Sequence, residues 1–238
     1  MPNYDIDINE VLQNVDKDGL YKVENFLTPE ETQGLKDEMT ACFDGINTGE
    51  ELCYPNSREM SYPFGKICRV QGPDMVNFPN MMSTFNNLWF ANITDHYFRC
   101  PNYKMLQVFF SHEFLTPSDV EGVTRNSVLH VDPYEAFKFM IYVTDCDENS
   151  GAFRYIKGSH VDGKKMREQH STQGLLGDKY RLDANPDLME KYSEDDVTYA
   201  EAPAGSLLFF TTDIIHGGGI IKEQGRERLG IICHNRRA

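Results

Sequence analysis

The 238-residue sequence has no apolar run long enough to cross a bilayer, no C-x-x-C pair, no internal repeat and no low-complexity tract. Each absence narrows the choice. A membrane helix needs about 20 consecutive apolar residues, so none is predicted. The six cysteines (Cys42, Cys53, Cys68, Cys100, Cys146 and Cys233) are too scattered to describe a disulfide framework or a zinc site. Reduced, mostly structural thiols are expected. Positive charge is also scarce: 23 Lys and Arg stand against 37 Asp and Glu, a net charge of −14. That disfavours nucleic acid and membrane as partners, because phosphate backbones and anionic headgroups reward clustered Lys and Arg. Met1-Pro2-Asn3-Tyr4-Asp5 lacks the positive-then-apolar pattern of a signal peptide, so a cytoplasmic location is the expectation.

What is present reads as one domain spanning residues 1–238, with 40% hydrophobic and 25% charged residues. Residues 1–100 are predicted to be mostly helical support. Ile6 to Val15 suggests a short helix, and Gly19 to Val23 alternates like a strand. Thr28-Pro29-Glu30-Glu31 is a helix start with a capping box, predicting a helix to about Phe43 that stops at Gly45. Glu50 to Pro79 reads as irregular. Met82, Phe85, Trp89 and Tyr97 then fall near helical spacing and suit packing against a sheet.

From Tyr103 the pattern changes to short apolar runs, at Tyr103–Phe110, Val128–Asp132, Ala136–Thr144, Phe153–Lys157, Ser206–Thr211 and Leu229–Cys233. Gly, Pro, Asn and Asp separate them, as in an antiparallel sandwich or barrel over 103–238. The polar stretch 161–199 interrupts this core as an insertion, with a lid over the site as one expectation.

Within the β-rich half, His130-Val131-Asp132 sets a histidine and a carboxylate two apart on an extended segment, hence on the same side of it. A further histidine from a distant strand, such as His216, would complete a two-histidine, one-carboxylate face. Such a face holds a divalent metal and leaves coordination positions open. A second H-x-D, His160-Val161-Asp162, competes with the first on pattern alone.

Several stretches occur together and in order: Asp18-Gly19-Leu20-Tyr21-Lys22-Val23 with Asn25-Phe26-Leu27; His130-x-Asp132; and Asn149-Ser150-Gly151-Ala152-Phe153-Arg154-Tyr155-Ile156-Lys157-Gly158-Ser159-His160. Pro203-Ala204-Gly205-Ser206-Leu207-Leu208-Phe209-Phe210, then His216-Gly217-Gly218-Gly219 and a distal arginine, complete the set. In this the sequence resembles the phytanoyl-CoA dioxygenase family of Fe(II)- and 2-oxoglutarate-dependent oxygenases. The resemblance implies a mainly β fold with flanking helices, a double-stranded β-helix (jelly-roll, cupin-like). It also implies Fe(II), 2-oxoglutarate as cosubstrate, dioxygen, and a small-molecule substrate. It selects His130, Asp132 and His216 as the catalytic metal ligands and gives His160 a structural turn.

The far carboxylate of 2-oxoglutarate requires a fixed cation, for which arginine's planar fork is suited. The family spacing falls on Glu227, between Arg226 and Arg228. Alignment from the Cys233-His234 end favours Arg228. The family often has a serine two residues beyond the distal histidine, and here that position is Gly218. Lys138, inside the apolar run Phe137–Val143, either binds 2-oxoglutarate or an acidic substrate from the pocket wall, or sits at an edge with its ammonium in solvent. Gln107, Tyr134 and Arg154 are further pocket candidates, for each of which a structural role is the competing reading. The expected reaction is hydroxylation with release of succinate and carbon dioxide. Alternatives are desaturation or cyclisation, halogenation (against which Asp132 speaks) and a non-catalytic jelly-roll binding module.

Overall fold

The computed structural model describes residues 1–47, 58–62, 65–70, 72–101, 103–114, 127–170 and 180–237. The chain opens with α1 (Ile8–Asp18), β1 (Leu20–Val23) and α2 (Pro29–Asn47). Asp7 starts α1 by accepting from the Asn9 amide, and Gly19 ends it at φ 82°, a left-handed geometry that glycine adopts without strain. The capping box of α2 is present: the Thr28 amide donates to Glu31 Oε2 (3.0 Å) and the Glu31 amide to Thr28 Oγ1 (3.3 Å). This helix continues through Gly45 to Asn47. A helical glycine costs only about 1 kcal/mol, too little to terminate a helix by itself.

The stretch read as irregular contains β2 (Arg58–Tyr62) and β3 (Gly65–Val70), paired antiparallel. β2 lies at the edge of its sheet among the described residues. An edge strand needs no apolar face, so Arg58-Glu59-Met60-Ser61-Tyr62 carries no alternation to reveal it. Next come α3 (Pro79–Phe85) and α4 (Leu88–Phe98), separated where Asn87 accepts from the Trp89 amide and caps the second helix. β4 (Tyr103–Phe114), β5 (Phe137–Tyr142), β6 (Arg154–Ile156), α5 (His160–His170), α6 (Pro186–Met189), β7 (Val197–Tyr199), β8 (Leu207–Thr211), β9 (His216–Gly217) and β10 (Glu227–Arg237) follow. Most of the predicted strands are thus found, but 128–132 makes only isolated bridges at His130.

Among the described residues the strands form two antiparallel sheets, a large one in the order β1-β8-β5-β10-β4-β3-β2 and a small one in the order β7-β6-β9. Alternation along the strands divides the large sheet into two faces. Phe137, Phe139, Ile141, Phe209, Ile231 and Cys233 point one way, into a core shared with Val11, Leu35, Met39, Met81, Phe90 and Ile93 of the helices. Met140, Tyr142, Leu208 and Phe210 point the other way, toward Tyr155 of the small sheet and Ala152 and Phe153 just before it. The far side of the small sheet buries Leu129, Val131, Ile156 and Ile215 against Met166 of α5 and Leu188 of α6. The fold is therefore mostly antiparallel sheet with flanking helices, and the inner space lies between the sheets.

Insertion 161–199 supplies α5, α6 and β7 from its described part, and residues 171–179 lie outside the described ones. Among the described residues no helix is long and apolar enough to cross a membrane.

Candidate metal centre

Burial on the small sheet's far side dictates which residues turn inward. Leu129 and Val131 are held in the α5–α6 core, so His130 and Asp132 alternate toward the inner space. Ile215 is held in the same core, which turns His216 inward as well. The two histidines form a reciprocal backbone pair: His130 N donates to His216 O (2.9 Å) and His216 N to His130 O (2.8 Å). Asp132 N donates to Thr212 O (3.0 Å). One ligand atom from each of His130, Asp132 and His216 falls within 4.8 Å of the others, the sole such grouping of three among the described residues.

Each imidazole is oriented by its own chain. Nδ1 of His130 lies 2.7 Å from Val128 O, and Nδ1 of His216 lies 2.8 Å from Ile214 O. A carbonyl only accepts, so Nδ1 carries the proton in both rings and Nε2 presents its lone pair to the centre. His216 is pushed down to about 3, first by burial and then by its neighbour His130. It is therefore neutral and able to ligate at neutral pH. Asp132 Oδ1 stands 3.4 Å from His130 Nε2 and 4.0 Å from His216 Nε2. Burial acts to raise the Asp132 carboxyl, but Lys138 and the two histidines outweigh it and hold it well below the usual carboxylate range.

The glycines after the distal histidine permit the close approach of these segments. A Cβ at Gly217 would meet Ser127 O and Val128 O at 3.1 Å, and one at Gly219 would meet Ala152 O at 2.2 Å.

The other candidates are placed as follows. Lys138 is buried on the inner face of β5, with Nζ 2.6 Å from Asp132 Oδ2, as an ion pair rather than a well-directed hydrogen bond. Arg228 is buried on β10, its Nη1 donating to Gly151 O and its Nη2 3.5 Å from Glu113 Oε1. Arg226 lies at the surface, bonded to Asp147 Oδ2 and Glu223 Oε2 at 3.0 Å each. Arg154 shares the far side of the small sheet with Ile156, where it meets Glu194 (3.2 Å) and donates to Ser127 O; it is not brought to the triad. Tyr134 lies beneath the Arg236 guanidinium. Gln107 sits on β4 opposite His234, and its side chain lies outside the described ones.

His160 and Asp162 are not part of the cluster. His160 Nε2 meets Asp16 O (2.9 Å), while Asp162 pairs with Lys191 (2.8 Å) and Tyr192 (2.9 Å). Ser159 Oγ donates to Ile156 O and accepts from the Ile215 amide, tying this turn to the distal metal strand. Tyr180, whose carbonyl accepts from Val131 N and whose ring lies 6.1 Å from that of His130, was not legible as a neighbour of the site. Arg69, Arg236 and the inner-face position of His234 were missed as well. Their signal, alternation along β3 and β10, becomes readable only once the inner face is known.

No curated protein matches the sequence. Several solved structures are similar. The non-heme alpha ketoglutarate dependent carbocyclase SnoK from nogalamycin biosynthesis is 12% identical with a TM-score of 0.67, covering 100% of this chain and 87% of that one. The epimerase SnoN, in complex with Fe3+, alpha ketoglutarate and nogalamycin RO, is 13% identical with a TM-score of 0.61, covering 97% and 84%. AviO1 from Streptomyces viridochromogenes Tue57 is 13% identical with a TM-score of 0.60, covering 96% and 94%. At such identities the likeness is one of fold. The sequence itself carries the family: the profile for phytanoyl-CoA dioxygenase matches residues 15–227, nearly the whole length, and the chain belongs to the phytanoyl-CoA dioxygenase family.

Proposed function

We propose that the protein is an Fe(II)- and 2-oxoglutarate-dependent dioxygenase, built on a double-stranded β-helix, that hydroxylates a small organic molecule and releases succinate and carbon dioxide. The observation that carries this reading is the convergence of two imidazoles with backbone-fixed tautomers and one carboxylate oxygen on a single point. Two neutral nitrogens and one anionic oxygen on one side of a centre fit ferrous iron with open positions for cosubstrate and dioxygen. When bound, the iron supplies the oxidising chemistry.

The chain's own residues position and shield. His130, Asp132 and His216 would hold the metal, and Lys138 holds the second oxygen of Asp132 so that one oxygen is presented. Arg228 would bind the far carboxylate of 2-oxoglutarate. It lies six residues along β10 from His234, the partner of Lys138, so the cation and the metal ligands occupy different ends of the inner space. Phe153 stacks on the His216 ring at 5.5 Å and Phe210 lies 5.6 Å away, which keeps water from that face. Tyr180 and the segment running on to α6 cover the His130 strand through Val131 N→Tyr180 O and Leu182 N→Leu129 O. This cover is the described part of the insertion expected to act as a lid.

A second reading keeps the same cofactors but ends in ring closure or epimerisation. It is favoured by the carbocyclase and epimerase among the structural neighbours. Halogenation is disfavoured because the Asp132 carboxylate occupies the position a halide would need.

Anaerobic addition of Fe(II) and 2-oxoglutarate should give a weak visible charge-transfer band only when both are present, followed by succinate release in air. Absence of the band with both present sinks the reading. Once a substrate is identified, labelled dioxygen separates the outcomes: a labelled hydroxyl supports hydroxylation, and an unlabelled cyclised or epimerised product supports the second reading.

A further inference from the structure

The inner face of the large sheet has two cationic ends. Arg228 occupies one. At the other, beside the metal ligands, His234 pairs in register with Lys138 of β5 and Gln107 of β4. Its ring lies 4.6 Å from that of Phe109. The Arg69 guanidinium carbon stands 4.9 Å over the same Phe109 ring, and that of Arg236 stands 3.2 Å from the centre of Tyr134. Burial drives His234 well below the usual imidazole range. The fields of Lys138, Arg236 and Arg69 act in the same direction, while Asp132 opposes them. Three cations thus gather around one neutral imidazole.

Lys138 is engaged by Asp132. The two arginines are not so engaged: among the described residues neither is paired with a carboxylate, and the Nε of each is buried without a hydrogen-bond partner. Both side chains are half-buried, and although the chain carries a net charge of −14 it sets no described carboxylate against either guanidinium. An aromatic platform fixes the guanidinium plane and leaves its N–H edge to receive an anion. The cosubstrate does not use up this charge. The two charges of ferrous iron and the two of 2-oxoglutarate cancel, Asp132 offsets Lys138, and Glu113 lies beside Arg228.

We propose that Arg69 and Arg236 form the recognition site for an anionic group, carboxylate or phosphoryl, on the primary substrate, which makes the substrate a small organic acid. The proposal rests on the dioxygenase reading for the reaction alone. The anion site stands on the two arginines and their aromatic supports.

The test uses the full chain loaded anaerobically with Fe(II) and 2-oxoglutarate, whose visible band reports loading. Inorganic phosphate and acetate are titrated separately by calorimetry into wild type, Arg69→Gln, Arg236→Gln and, as a surface control, Lys165→Gln. At least one anion should bind the wild type, with affinity falling tenfold or more in both arginine variants and unchanged in the control. Which anion binds distinguishes a phosphoryl from a carboxylate source. If a glutamine variant loses its cooperative melt, the corresponding Arg→Lys variant takes its place; it keeps the charge but loses the fork, and should still weaken binding threefold or more. An absent band with anion binding that still depends on the arginines defeats the dioxygenase reading and leaves the anion site standing. In turnover, a metabolite screen scored by succinate release should return acids, each at least tenfold better than its neutral methyl ester. No binding to the wild type, binding undiminished in the arginine variants, or esters as good as acids would overturn the proposal.

Discussion

Lys138 Nζ lies 2.6 Å from Asp132 Oδ2, while the other carboxylate oxygen faces the Nε2 atoms of His130 and His216. One carboxylate therefore serves two cations: a lysine built into the fold, and a metal that the triad is arranged to receive. Without metal, the lysine is the largest compensation of a buried anion, ahead of the two histidines. Its effect should differ sharply between the metal-free and metal-loaded protein.

Lys138→Met leaves Asp132 buried without its partner, which costs about 3–5 kcal/mol in the metal-free protein. For a chain of this size that corresponds to a fall of about 10 °C in melting temperature. Bound metal replaces the missing charge, so the loaded variant should lose much less, and the stabilisation on adding Fe(II) or Mn(II) should exceed that of the wild type. Thermal melts with and without metal check this. Equal losses in both states would assign Lys138 a packing role.

His130→Ala, Asp132→Ala and His216→Ala should each reduce iron binding below detection and abolish turnover. His160→Ala should retain nearly full iron affinity, because its imidazole is used on the Asp16 carbonyl. Iron titration of the four purified variants distinguishes the two H-x-D motifs. Loss of iron in the His160 variant alone would reverse the assignment.

Arg228→Ala should raise the half-saturating 2-oxoglutarate concentration about 30-fold or more, since a charge-assisted pair lost in a shielded site costs at least about 2 kcal/mol. Arg226→Ala breaks only exposed pairs to Asp147 and Glu223, worth about 0–1 kcal/mol, and should change it less than about twofold. Titration of the visible band with 2-oxoglutarate gives both numbers directly. Equal or reversed effects would overturn the choice of Arg228 over Arg226.

Gly163 lies within α5, where a change to alanine ordinarily gains about 1 kcal/mol of helix propensity. Here a Cβ would sit 1.9 Å from the carbonyl oxygen of Asp213, a backbone atom just before the distal metal strand. The clash should outweigh the propensity, and Gly163→Ala should destabilise by about 1–3 kcal/mol. Urea unfolding tests the sign; a stabilised variant would mean that α5 can lift from the sheet without cost.

The candidate metal ligands could be picked out because they belong to local patterns. His130-x-Asp132 places two ligands on one side of any extended segment. The order of the surrounding motifs, through to His216-Gly217-Gly218-Gly219, marks the family. The Thr28–Glu31 capping box and the Gly158–His160 turn were legible for the same reason, since each is made by residues a few positions apart. Most strands of the large sheet could be read from apolar runs because both of its faces are buried.

Tertiary structure decided what depends on facing and on distant partners. Arg226 and Arg228 are equivalent by strand periodicity. Only the start of β10 at Glu227 and its pairing with β4 bury one and leave the other in solvent. Lys138 could be read as a pocket cation, but its partner comes from a segment whose direction is fixed by Leu129 and Val131 packing beneath α5 and α6. Arg69 alternates with core-facing Cys68 and Val70 on a strand too short to read in isolation, and Arg236 lies in a charged stretch at the end of β10. Nothing local separates either from a solvated surface arginine. Their place around His234 follows from strand register, which is set by hydrogen bonds between segments distant in sequence, and composition does not encode register.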